Sequence, residues 1–472
     1  MTIPLAIKYV GAEQYGVWLT LTSATLLLYY SDIGIGTAVV HFGARNRATG
    51  EGFNFTQLLS SAIGVVSIVW VGLILVTASF VTAAYFGGYF GNFDSFQFVL
   101  IVVSLFLLVT GFLTKPFEAI LIGAGHFVTD RWLKFCGSVV RLSGTLTVCL
   151  LHPTLGLLAL VEAVSLVLPG VLAIFFVVKG SIATIRRQEI KRETVTTLWS
   201  YSYKRFAVDA VGAGVLQIGT LLVAVVASAA AVSYFSAAFR LYSGIRQVIA
   251  WVVDPFRTIL SKLWVENRGY FPRVVLSFSL LVACVSWSVC CVAIILSPGL
   301  TPVWLGRDSV YYDAAGMVTI LCLGLMINVL HIPLIASTDA AHRPGVFFLP
   351  QALWLVLYGG LALVLGGRFG AVGVCVAMAL SVAILEPIYL YVAQRNLGFT
   401  IAEWVRTVFL PTFVLILPAL MMAVSIAWSA DFSIVWSVIS ALIFILLVLG
   451  SAYLLRSRLA LTDIRAMLGY AL

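Results

Sequence analysis

Three arginines and two carboxylic acids sit far inside apolar stretches of the chain: Arg141, Arg240, Arg246, Asp32 and Glu162. An ionised side chain at mid-membrane costs about 2.5–3.5 kcal/mol on insertion scales, so each needs a partner or a route to water. Arg141 lies some twelve residues before the turn at Pro153 and Glu162 some nine after it. Adjacent antiparallel helices set the two at similar depth, where they can simply pair. Arg240 and Arg246 are six apart, about 120° around a helix, and no acid stands one turn from either. Asp254 shares a face with Arg240 but lies about four turns away. An unmatched arginine at this depth belongs against a wet cavity, where it binds anions; the competing reading pairs it with acids of other helices. Asp32 sits in Ser31-Asp32-Ile33-Gly34-Ile35-Gly36, whose small residues allow a close helix approach or a local bend.

A second set of charges, Lys115, Glu118, Asp209, Asp254 and Glu386, falls within about two turns of helix ends, where structural pairing is the expectation. Lys115 and Glu118, three apart, share a helix face and suit a local ion pair. Metal chemistry has little to work with. The histidines (His41, His126, His152, His331 and His342) are scattered near joints without ligand spacing, and the seven cysteines lie in apolar runs with no C-x-x-C pair. No metal site, disulfide framework or cofactor is expected.

The elements that must position these residues are membrane helices. Of 472 residues, 62% are apolar and 10% charged, far from the soluble norm of about half and a quarter. Thirteen apolar spans separate at short polar or Gly/Pro-containing joints: 17–42, 57–83, 96–122, 135–151, 156–178, 206–227, 232–256, 274–297, 309–337, 347–365, 370–393, 408–427 and 434–455. Met1–Val10 is too short to cross and reads as part of a first helix. Twenty-one basic residues fall in one alternating set of joints and three in the other, which marks the first set, and the C-terminus, as cytoplasmic. The net charge of +9 is thereby a topology signal and not a nucleic-acid footprint. Tyr15, Trp18, Tyr85, Tyr89, Trp304, Tyr311 and Trp404, near span ends, read as interfacial belt residues.

A faint echo links the halves: Tyr15-Gly16, Asp32 and Asn46-Arg47 return as Tyr234-Phe235, Asp254 and Asn267-Arg268 at offsets of 219–222 residues. The expected architecture is therefore all-α and polytopic, with two pseudo-symmetric six-helix bundles and a C-terminal helix pair. Its expected parts are an N-terminal lobe at 1–185, a basic cytoplasmic linker at 186–205, a C-terminal lobe at 206–393 and appended helices with a tail at 394–472.

The stretches Tyr9-Val10-Gly11-Ala12-Glu13-Gln14-Tyr15-Gly16-Val17-Trp18 and Ser31–Gly36 resemble bacterial polysaccharide exporters. These are the lipid-linked oligosaccharide flippases of the multidrug/oligosaccharidyl-lipid/polysaccharide exporter superfamily. Val232–Arg240, Trp304-Leu305-Gly306-Arg307 and Gly370-Ala371-Val372-Gly373 are similar to that family as well. The resemblance implies a plasma-membrane flippase for a polyprenyl-pyrophosphate-linked sugar unit, working beside membrane lipids and other polysaccharide-assembly proteins. Arg141, Arg240 and Arg246 would hold the headgroup, with Asp32 or Glu162 exchanging a proton or sodium ion. It also implies that the chain begins inside helix 1. At Gln217-Ile218-Gly219-Thr220, where relatives often carry an acid, no coupling role carries over. The alternatives are a multidrug cation exporter, which would want an acidic cavity, and a membrane enzyme. The enzyme reading lacks a large outer domain and any Asp-x-Asp, H-E-x-x-H or G-x-S-x-G motif.

Overall fold

The computed structural model describes residues 2–30, 34–49, 52–88, 91, 93–305, 311–341, 343, 345–429 and 433–454. Among them the regular structure is entirely helical. The chain divides into two compact units, residues 1–224 with 228–233, and 225–227 with 234–472.

The first unit contains α1 (Thr2–Tyr9), α2 (Ala12–Tyr30), α3 (Ile35–Thr49), α4 (Phe55–Phe86), α5 (Ser95–Thr110), α6 (Lys115–Gly123), α7 (Phe127–Leu151), α8 (Leu155–Lys179) and α9 (Arg192–Val226) up to Ala224. Side-chain caps set two of the starts: Asn54 accepts from Gln57 N before α4, and Asp94 accepts from Gln97 N before α5. A tight 3₁₀ segment, Gly111–Thr114, joins α5 to α6 just ahead of Pro116, whose ring cannot continue the preceding hydrogen-bond ladder. The core gathers Leu58, Leu59, Phe112, Ile120, Ala173 and Val177 from α4, α6, α8 and the 3₁₀ segment. Helices α7 and α8 pack closely at glycines: a Cβ on Gly137 would stand 2.7 Å from Ser165 O, and one on Gly144 2.7 Å from a Val161 methyl. The later part of the basic stretch, from Arg192 onward, is the start of α9, a single helix of 35 residues.

The second unit contains α10 (Ala229–Glu266) from Tyr234 onward, α11 (Phe271–Leu305), α12 (Tyr311–Asn328), α13 (Ile332–Ala340), α14 (Phe348–Leu397), α15 (Ile401–Trp404), α16 (Leu410–Ser429) and α17 (Ile434–Leu454). Helix α14 has 50 residues, about 75 Å if straight and more than twice a hydrocarbon core. It breaks at Gly370 (φ 58°, ψ −140°), a conformation only glycine adopts freely. The break adjoins the expected joint at 366–369 and the outer-set residue Arg368. Helices α12 and α13 are two parts of one apolar stretch, parted by a turn at 329–331 with Pro333 opening α13. A π-helical segment, Val405–Phe409, links α15 to α16.

Nine stretches among the described residues are long and apolar enough to cross a membrane, with α14 counted once. The chain is thus a multi-pass membrane protein. Helices α9 and α10, with 35 and 38 residues, are both longer than a bilayer requires.

Candidate substrate and ion sites

In the first unit Glu162 of α8 accepts hydrogen bonds from side chains of α2 and α7. Arg141 Nη2 donates to Oε1 at 2.7 Å, Trp18 Nε1 to Oε2 at 2.7 Å and Tyr15 OH to Oε1 at 3.4 Å. Tyr15 and Trp18 are three apart on α2, so they present one face to α8. Both are fully buried, which corrects their reading as interfacial belt residues; Trp404 is buried as well. Gly16 between them meets a different neighbour, since a Cβ there would stand 1.7 Å from Ala229 O. The Tyr15-Gly16-Val17-Trp18 motif therefore has a local physical meaning: two donors for a buried carboxylate and a bare backbone where another segment presses in.

At the starts of α6 and α7, Lys115 Nζ lies 3.6 Å from Glu118 Oε1, and Lys134 Nζ bridges Glu118 at 3.6 Å and Asp130 at 2.8 Å. Glu118 and Asp130 are buried while Lys134 reaches outward.

In the second unit α10 carries a stripe at i, i+4, i+7 and i+11: Phe235, Phe239, Tyr242 and Arg246. The rings stack in sequence, with centroids 5.7 and 5.2 Å apart. Arg246 extends the stripe by one turn. It is half-buried, its Nε is buried without a hydrogen-bond partner, and it stands within electrostatic range of Tyr242 and Tyr389. Arg240, on another face, is exposed. Among the described residues neither arginine makes an ion pair.

The turn between α12 and α13 carries a polar group that the sequence reading missed. His331 Nδ1 lies 2.6 Å from Glu386 Oε2, and Asn328 Nδ2 lies 3.3 Å from His331 Nε2. The imidazole stacks on Tyr389 with centroids 3.8 Å apart, and Phe347 covers the same Tyr389 ring. Asn328, His331, Glu386 and Tyr389 are all buried. Trp287 Nε1 donates to Met326 O at 2.7 Å, supplying a donor to a carbonyl in the last turn of α12. Asp32 lies outside the described residues, as do the side chains of Asp209 and Asp254. No group of three metal-ligating side chains occurs among the described residues.

Each of the two units thus buries charged side chains among apolar helices. The chain is similar, over 97% of its length and 96% of the other, to a structure of the lipid II flippase MurJ in an inward closed conformation (TM-score 0.73, 15% identity). It is also similar to a multidrug resistance MATE family transporter of the MOP superfamily in an inward-facing conformation (TM-score 0.68, 11% identity, 86% of this chain and 94% of that one). A third similar structure is a MOP superfamily transporter from Pyrococcus furiosus, described as having a binding pocket of reverse polarity that suggests a different function (TM-score 0.55, 12% identity, 84% and 88%). The fold is that of the MOP-superfamily transporters. Neither a protein-family profile nor a curated protein sequence matches the chain.

Proposed function

We propose that the chain is a flippase that moves a polyprenyl-pyrophosphate-linked oligosaccharide, an O-antigen, capsule or exopolysaccharide repeat unit, from the cytoplasmic to the outer face of the plasma membrane by alternating access. In this reading thirteen spans and a partial first helix form two six-helix bundles and a C-terminal pair, with the C-terminus cytoplasmic.

One observation carries it. The buried acids among the described residues have cationic or imidazole partners: Glu118 and Asp130 have lysines, Glu162 has Arg141 and Glu386 has His331. Among the described residues Arg240 and Arg246 make no ion pair, and a guanidinium fork matches phosphate oxygens bidentately. Arg141 is the third headgroup residue in this proposal and would exchange Glu162 for phosphate. Protonation of Glu162 would release it, which makes Glu162, with Asp32, the proposed ion-coupling acid. Export of two negative charges against an inside-negative potential gains about 4.6 kcal/mol per 100 mV. A surplus of positive charge opposes the cationic substrates of a multidrug exporter.

The test is flipping of a fluorescent polyprenyl-pyrophosphate oligosaccharide in proteoliposomes. Arg240→Gln with Arg246→Gln should slow it at least tenfold, and unchanged transport by the double variant would end the proposal.

A further inference from the structure

In the second unit, the hydrogen bonds of the His331–Glu386–Asn328 group are complete in only one sense. One proton lies between His331 Nδ1 and Glu386 Oε2, which are 2.6 Å apart. Asn328 directs its Nδ2 at His331 Nε2, so Nε2 accepts and the imidazole is neutral in this arrangement. The pair then carries a net charge of −1. This orientation leaves Asn328 Oδ1 buried without a partner, along with Glu386 Oε1 and the Tyr389 hydroxyl. A half-turn of the Asn328 amide exchanges its oxygen and nitrogen. It then offers Oδ1 to a protonated Nε2, and the orphaned acceptor is satisfied. The imidazolium–carboxylate pair is neutral overall, the state a buried site favours.

We propose that His331, Glu386 and Asn328 form a proton-binding site that takes up one proton at His331 Nε2, with the Asn328 amide turning to accept it. Tyr389 of α14 stacks on His331, and its hydroxyl is within electrostatic range of Glu386. The proton site stands without the flippase reading.

Histidine ring ¹⁵N spectra of the full chain in nanodiscs decide the proposal, with the five histidines assigned by single replacements. His331 Nε2 should gain a proton as the pH falls from about 9 to about 5. Asn328→Leu should lower its proton affinity tenfold or more, and Asn328→Asp should raise it. The wild-type titration needs no destabilising variant. A His331 ring fixed in one tautomer across the range, or a midpoint indifferent to both Asn328 variants, overturns the site.

Discussion

Replacement of Trp18 by phenylalanine probes the carboxylate cluster of the first unit most directly. The indole N–H donates to Glu162 Oε2 at 2.7 Å, and Trp18 is 0% exposed, so water cannot replace the bond. A hydrogen bond to a charged group contributes about 1.5–3 kcal/mol, and the smaller ring leaves unfilled volume costing about 1 kcal/mol more. Trp18→Phe should therefore destabilise the protein by about 2.5–4 kcal/mol. Glu162→Gln keeps an acceptor but removes its charge, which lowers the worth of the indole bond to about 0.5–1.5 kcal/mol. In that background Trp18→Phe should cost about 1–1.5 kcal/mol less than in the wild type. Unfolding in mixed SDS–dodecyl maltoside micelles of the wild type, both single variants and the double variant gives the coupling energy. A coupling below about 0.3 kcal/mol would show that Trp18 is buried merely as an apolar filler and that Glu162 does not depend on it.

Gly370→Ala should lower the unfolding midpoint by the equivalent of about 1–3 kcal/mol, since a Cβ there meets nothing within 4 Å and only the positive φ is strained. Gly170→Ala should cost more and by a different route, because its Cβ would stand 1.8 Å from Thr114 Oγ1; Thr114→Ala should recover part of the loss in the same assay. A membrane-permeant maleimide should modify the exposed Cys136 well before the buried Cys290, Cys322 and Cys375, as mass spectrometry of partly labelled protein would show. An inside-negative potential imposed with potassium and valinomycin should accelerate outward flipping of the lipid-linked oligosaccharide, and a rate independent of potential would contradict export of the charged headgroup.

The residues whose environment was legible from sequence are those governed by local arithmetic. Arg141 and Glu162 meet because comparable distances from one turn put them at similar depth, and Lys115 and Glu118 meet because three residues make most of a helical turn. The break at Gly370 announces itself through Gly366-Gly367-Arg368 and Gly370 in an otherwise apolar run. Trp18 and Tyr15 resist such reading, because an aromatic near a helix end carries the same signal whether it faces headgroups or a buried acid. His331 and Glu386 are 55 residues apart on different helices, and no periodicity connects them. The turn that brings His331 inward was visible only as Pro333, one of several prolines in the spans. The basic stretch looked like a connection because its charges hide a helix that begins at Arg192.

The two units handle buried charge differently, and the proposal of an anionic cargo rests on that difference. In the first, Glu162 collects a guanidinium, an indole and a phenol, an arrangement that fixes Arg141 as long as the acid stays ionised. In the second, Glu386 is matched to an imidazole, and among the described residues Arg246 makes no ion pair. Its guanidinium is half-buried with an unpartnered Nε, so it has lost part of its water. Pairing with a phosphate oxygen restores that loss in the bound state alone, so it strengthens binding without stabilising the empty protein. Arg246→Gln should accordingly leave the unfolding midpoint unchanged or raise it, while weakening pyrophosphate binding at least tenfold. A structural arginine would show the opposite pattern, a lower midpoint with affinity intact.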